Sequence, residues 1–144
     1  MTISPYQIVS FAIILLFSLI LSIEDIKKLS VSIYTQWVSI FCALICHLIF
    51  AREEMWIYII SSMIMGSFYF AVRKITKNKL GPADVWFGFF QGLFIIPRLI
   101  PLCFIIEDVI AVIFINKNLG KKQFAFIPFM SIGLIICFII GVLL

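Results

Sequence analysis

Residues 95–108 read Ile95-Ile96-Pro97-Arg98-Leu99-Ile100-Pro101-Leu102-Cys103-Phe104-Ile105-Ile106-Glu107-Asp108. As the middle of one long apolar helix, this stretch would bury an arginine in lipid. As a turn, it divides two helices. Proline lacks a backbone donor and clashes with the preceding turn, so Pro97 and Pro101 argue against an unbroken helix. Arg98 needs water or lipid headgroups. The turn reading wins, and it sets the number of helices.

Working outward, uncharged runs fall at residues 1–23, 29–51, 55–72, 85–97, 99–106 and 123–144. Extending the fifth across Glu107 and Asp108 to Asn116 makes an 18-residue segment. A helix crossing the hydrocarbon layer needs about 20 residues. Runs one, two, three and six meet or approach that length, and the fifth does so with two acids inside it. The fourth, at 13 residues, is short unless its helix begins near Gly81. The expectation is an all-α polytopic membrane protein with six transmembrane helices in a single domain, residues 1–144.

Composition agrees. Of 144 residues 64% are hydrophobic and 12% charged, with a mean hydropathy of +1.22. An average soluble domain is about half apolar and a quarter charged, so a soluble globular or disordered chain is excluded.

Nine of the eleven Lys and Arg residues lie between runs one and two (Lys27, Lys28), three and four (Arg73, Lys74, Lys77, Lys79) or five and six (Lys117, Lys121, Lys122). Only Arg52 and Arg98 fall in the alternate loops. Cytoplasmic loops carry the positive excess, so both termini are expected outside the cytoplasm. Fusing runs four and five would export Lys117, Lys121 and Lys122. The first run has no basic residue before it and no Ala-x-Ala-like site after it, unlike a cleaved signal peptide. The net charge of +4 is explained by these loops, and no nucleic-acid partner is expected.

Cys42, Cys46, Cys103 and Cys137 lie in apolar runs without metal-ligand spacing and read as small packing residues. No metal or other cofactor is expected. His47, alone near the outer end of run two, reads as an interfacial or packed side chain.

The acids carry the information. Glu53 and Glu54 sit beside Arg52 in a loop, but Glu24, Asp25, Asp84, Glu107 and Asp108 lie at or within membrane segments, where ionisable groups mark function. At helical spacing Asp25 continues the stripe Ile14, Ser18, Leu21 and Ser22, which suits the bundle interior. Glu24 continues a purely apolar stripe and is expected at the interface. Gly81-Pro82-Ala83-Asp84 has the form of a helix start, with proline in the first turn. Asp84 then shares a face with Gly88, Gln91 and Gly92, and Gly88-x-x-x-Gly92 permits close helix approach in a membrane. Two inward carboxyls at one depth on different helices suggest a paired site. Glu107 and Asp108 stand about 100° apart on one helix. They are expected to be buried, protonated or hydrogen-bonded within the bundle, with a second polar shell or a proton path as the alternative.

Three patches resemble the type IV prepilin peptidases, intramembrane aspartyl proteases with a Gly-x-Gly-Asp motif. Asp25-Ile26-Lys27-Lys28-Leu29-Ser30-Val31 is similar to the first motif of that family, Gly81-Pro82-Ala83-Asp84-Val85 to the second, and Ile127-Pro128-Phe129 to its Pro-Phe signature. The chain departs from the pattern at Ala83, where a second glycine is usual, at Ser32 and Ile33, where Pro-Asn often follows, and at Trp86, where many members have lysine. Nothing matches the methyltransferase region of bifunctional members. The compact form looks like the small peptidases of tight-adherence or archaeal-type filaments.

The resemblance implies Asp25 and Asp84 as the catalytic pair. Gly81, Ala83, Lys27, Pro128, Phe129 and Glu24 would be substrate-binding or structural positions. The substrate would be a pilin-like precursor whose short basic leader lies in the cytoplasm and whose apolar helix lies in the cytoplasmic membrane. A catalytically diverged pilus-assembly protein and a small proton-linked transporter are the alternatives.

Overall fold

The computed structural model describes residues 2–117 and 125–144, and of residues 115–117 the backbone alone. Lys121, Lys122 and Gln123 lie outside the described residues. Within them all regular structure is helical: α1 (Pro5–Lys28), α2 (Ile33–Phe50), α3 (Met55–Ile75), α4 (Pro82–Gly92), a single 3-10 turn (Pro97–Leu99), α5 (Ile100–Lys117) and α6 (Ile127–Leu143). Three of these helices, α1, α2 and α3, are long and apolar enough to cross a membrane.

Local chemistry explains where they begin and end. Ser4 and Gln7 form a reciprocal capping box at the start of α1, with Pro5 in the first turn, where its missing N–H costs nothing. At the other end Leu29 turns left-handed (φ 51°), and its N–H closes on the Asp25 carbonyl at 2.9 Å. The turn at Pro97–Arg98–Leu99 separates α4 from α5 as the two prolines require.

The fourth run is only partly helical. Eleven residues at 1.5 Å each cover about 16 Å, half of a membrane's hydrocarbon thickness. The helix then tightens, with Leu93 N–H donating to the Phe90 carbonyl and Phe94 N–H to the Gln91 carbonyl, and Ile96 is extended. Leu93, Phe94 and Ile95 remain buried although they are not helical. His47 allows this: its Nε2 hydrogen-bonds the Leu93 carbonyl, while Nδ1 meets the Tyr6 hydroxyl at 3.3 Å and its ring stacks on Tyr58. His47 is thus a packed side chain that satisfies a freed backbone group, as membrane interiors demand.

Helix α4 is the centre of the bundle, packed against α2, α3 and α6. Its apolar side, Phe87 and Phe90, is fully buried, and its small side meets α3. A Cβ on Gly92 would lie 2.4 Å from the Ser62 Cα, and one on Gly88 would lie 2.4 Å from the Tyr69 ring. Ser62 donates to the Phe89 carbonyl at 2.7 Å across the same contact. The expected close approach along Gly88-x-x-x-Gly92 is therefore present, and α3 is its partner. Helix α1 packs against α2 and α6, and α5 packs chiefly against α6.

Candidate active site

Asp25 and Asp84 stand at the same end of the bundle, opposite the one that holds Tyr6, His47 and Tyr58. Each is 7% exposed, and the charge of Asp25 acts on the Asp84 carboxyl. They reach this place by different routes.

Asp84 occupies the first turn of α4. Its backbone N–H donates to the Gly81 carbonyl at 3.3 Å, while its Oδ2 accepts the Gly81 N–H at 3.0 Å. Gly81 itself is extended (φ −69°, ψ 155°), a conformation open to any residue. A Cβ there would lie 3.4 Å from Asp84 Oδ2, an ordinary contact. Glycine is thus not demanded by the backbone, and what it contributes is open space beside the carboxyl. Ala83 is half-buried, and its carbonyl accepts a 2.8 Å hydrogen bond from Gln36 Nε2 of α2. Gln36 is itself buried, so α2 is fastened to the turn that carries Asp84.

Asp25 sits in the last turn of α1 but is held by another helix. Its Oδ2 accepts the Ile127 N–H at 3.1 Å, and the Phe126 amide supplies a second backbone hydrogen bond. These N–H groups stand at the start of α6, where a carboxylate is favoured. Below this contact the Ser22 and Ser131 hydroxyls meet at 3.1 Å, tying α1 to α6 one turn further in. Both acids therefore lie at helix N-termini, Asp84 at its own and Asp25 at that of α6.

The other positions singled out in the sequence take smaller parts. Pro128 falls in the first turn of α6, the turn that donates to Asp25. Phe129 packs on Phe114 and Phe126. Glu24 is half-buried near the end of α1, and its Oε2 accepts the Ser32 N–H at 3.1 Å. Lys27 is exposed.

A second polar centre lies deeper. Glu107 is fully buried and accepts from the Tyr69 hydroxyl, from Gln91 Nε2 and from the Cys103 thiol, the last at 3.1 Å. Gln91 also reaches the Met130 carbonyl of α6 at 3.4 Å, and a Cβ on Gly133 would lie 2.5 Å from Glu107 Cγ. Two expectations need correction here. Glu107 and Asp108 are not a buried pair, because the 100° step that turns Glu107 inward turns Asp108 to the exposed face. Cys103 is not mere packing, since its thiol donates to Glu107 and its sulfur accepts from Gln91 Nε2 at 2.9 Å.

Gln36 and the α6 amides were not among the residues singled out in the sequence. Gln36 left a signal, a carboxamide in an otherwise apolar helix. Backbone donors leave none. The described residues contain no group of three or more His, Cys, Asp or Glu side chains placed to hold a metal. No family model, curated protein or solved structure matches the chain.

Proposed function

We propose that this chain is an intramembrane aspartyl endopeptidase that removes the short basic leader from pilin-like precursors at the cytoplasmic face of the membrane. In this reading all six helices cross the cytoplasmic membrane, both termini lie outside, and Asp25 and Asp84 face the cytoplasm. The observation that carries it is the convergence of two buried carboxyls, from α1 and α4, at one end of the bundle. Sidedness supports it: Lys27 and Lys28 end α1, Arg73 and Lys74 end α3, and Lys77 and Lys79 lie just before α4, and cytoplasmic ends carry such excess.

The chemistry follows from the pair. Two carboxyls around one water share a single proton, because both are not ionised cheaply. The carboxylate takes a proton from the water as its oxygen bonds to the scissile carbonyl carbon. The neutral acid gives its proton to the carbonyl oxygen, forming a tetrahedral diol. The diol collapses as the C–N bond breaks: the amine leaves with a proton from the first carboxyl, and one diol hydroxyl returns its proton to the second, restoring the starting pair. Each aspartate keeps one oxygen on backbone N–H groups, from Gly81 or Ile127, which fixes its direction. The junction of a basic leader and an apolar helix lies at this depth, so the scissile bond and the carboxyls meet without unfolding the bundle.

The test is cleavage of a co-expressed precursor by the wild type, Asp25→Asn and Asp84→Asn, with membrane insertion measured for each. Only the wild type is expected to cleave. Cleavage by either variant overturns the reading. A second reading, a diverged assembly protein that keeps the fold, draws on the same hydrogen bonds, since Asp25 and Asp84 also serve as helix caps. It is favoured if the inserted wild type leaves every precursor intact.

A further inference from the structure

Asp108 is the one mid-helix acid that neither the carboxyl pair nor the Glu107 centre uses. It lies eight residues after Ile100 and nine before Lys117, about 12 Å or more from either end of α5. Its side chain is exposed, on a face shared with Ile105, Val109 and Val112, each more than half exposed. Among the described residues it has no hydrogen-bond or ion-pair partner. An aspartate is too short to bring its charge to a membrane surface over that distance, so a lipid-facing carboxyl at mid-depth calls for a partner. The flanking residues are apolar, which argues for lipid rather than a water-filled path. Helix α5 rests chiefly on α6 and leaves this face uncovered.

We propose that the Asp108 face of α5 is a docking surface for a transmembrane helix of a partner protein that presents a lysine or arginine at mid-depth. Charge complementarity selects the partner. Among the described residues a second copy of this chain does not supply it, because Lys27, Lys28, Arg52, Arg73, Lys74, Lys77, Lys79, Arg98 and Lys117 all lie at helix ends or in turns. Two copies meeting on this face would oppose like carboxyls. A cationic side chain in lipid has the matching need for a carboxylate, so pairing removes two unfavourable exposures at once. The proposal requires α5 to cross the membrane, and it is independent of the protease reading.

The experiment reconstitutes the full chain in phosphatidylcholine vesicles with a synthetic single-span Leu/Ala helix. The helix carries either one central lysine or leucine in its place, and association is read by energy transfer. The lysine helix is expected to bind the wild type about tenfold more tightly than the all-apolar helix, the scale of one interhelical polar bond in lipid. Asp108→Leu is expected to reduce binding to the apolar level, and the near-isosteric Asp108→Asn to weaken it severalfold. Equal binding of both helices, or binding unchanged in both variants, overturns the proposal. So does self-association of the chain through Asp108 without the helix. Labelling of Asp108→Cys by a membrane-impermeant thiol reagent in intact vesicles, the mark of a water-lined face, overturns it as well.

Discussion

The bundle holds carboxyls in two ways. At the basic end, Asp25 and Asp84 are satisfied by backbone amides at helix starts, and each retains slight exposure. In the middle, Glu107 is sealed by side-chain donors from α3, α4 and α5 with no exposure at all. Backbone donors are fixed by the helices and stay in place when a carboxyl changes its proton. A ring of side chains instead commits a carboxyl to holding helices together. The first arrangement suits chemistry and the second suits architecture, and substitutions should separate them.

The largest expected effect falls on the first region. Asp84→Asn and Asp25→Asn should each lower precursor cleavage by about 10²–10⁴-fold, the usual share of a positioned acid or base. Stability should hardly change, because an asparagine oxygen still accepts the Gly81 or Ile127 N–H. Rate assays paired with unfolding in detergent would check both halves. Substantial unfolding in these variants would dissolve the distinction.

Glu107→Leu should do the reverse. It strands Tyr69, Gln91 and Cys103 as buried donors, at a cost of about 2–3 kcal/mol, judged by the cost of an unpartnered buried group. The cleavage rate of the protein that remains folded should stay near that of the wild type. A rate loss matching that of Asp84→Asn would instead join the two regions into one site.

Gly92→Ala sharpens the architectural half. The new methyl would stand 2.4 Å from the Ser62 Cα, a backbone atom that moves only with its helix. Overpacking of this kind costs about 1–3 kcal/mol, readable as a lower unfolding midpoint. Smallest is Tyr69→Phe, which removes one of three donors to Glu107. Its cost should be about 1 kcal/mol by the same assay, in line with single interhelical hydrogen bonds in membranes.

These contrasts also account for what was legible in the sequence. Helix ends marked by Pro82 and Pro97 were readable because proline acts on its own turn. The burial of Asp25 was readable from the spacing of Ser18, Leu21 and Ser22. The grip of the α6 amides on Asp25 was not, because it joins residues 102 apart through atoms common to every residue. The opposite fates of Glu107 and Asp108 follow from the helical step, but which of them faces inward depends on Tyr69 and Gln91, set by tertiary packing. The fourth segment read as a span because its residues are apolar throughout. Its early unwinding rests on His47, 46 residues earlier.

The central claim is that positions 25 and 84 face one small pocket. It is tested most directly by replacing both aspartates with cysteine, introducing a protease site between α2 and α3, and treating membranes with a short bismaleimide before cutting. The two fragments are expected to remain joined, as they should for the control pair Ser22→Cys with Ser131→Cys, whose native hydroxyls meet at 3.1 Å. Fragments that separate for the 25/84 pair while the control pair stays joined would contradict the account.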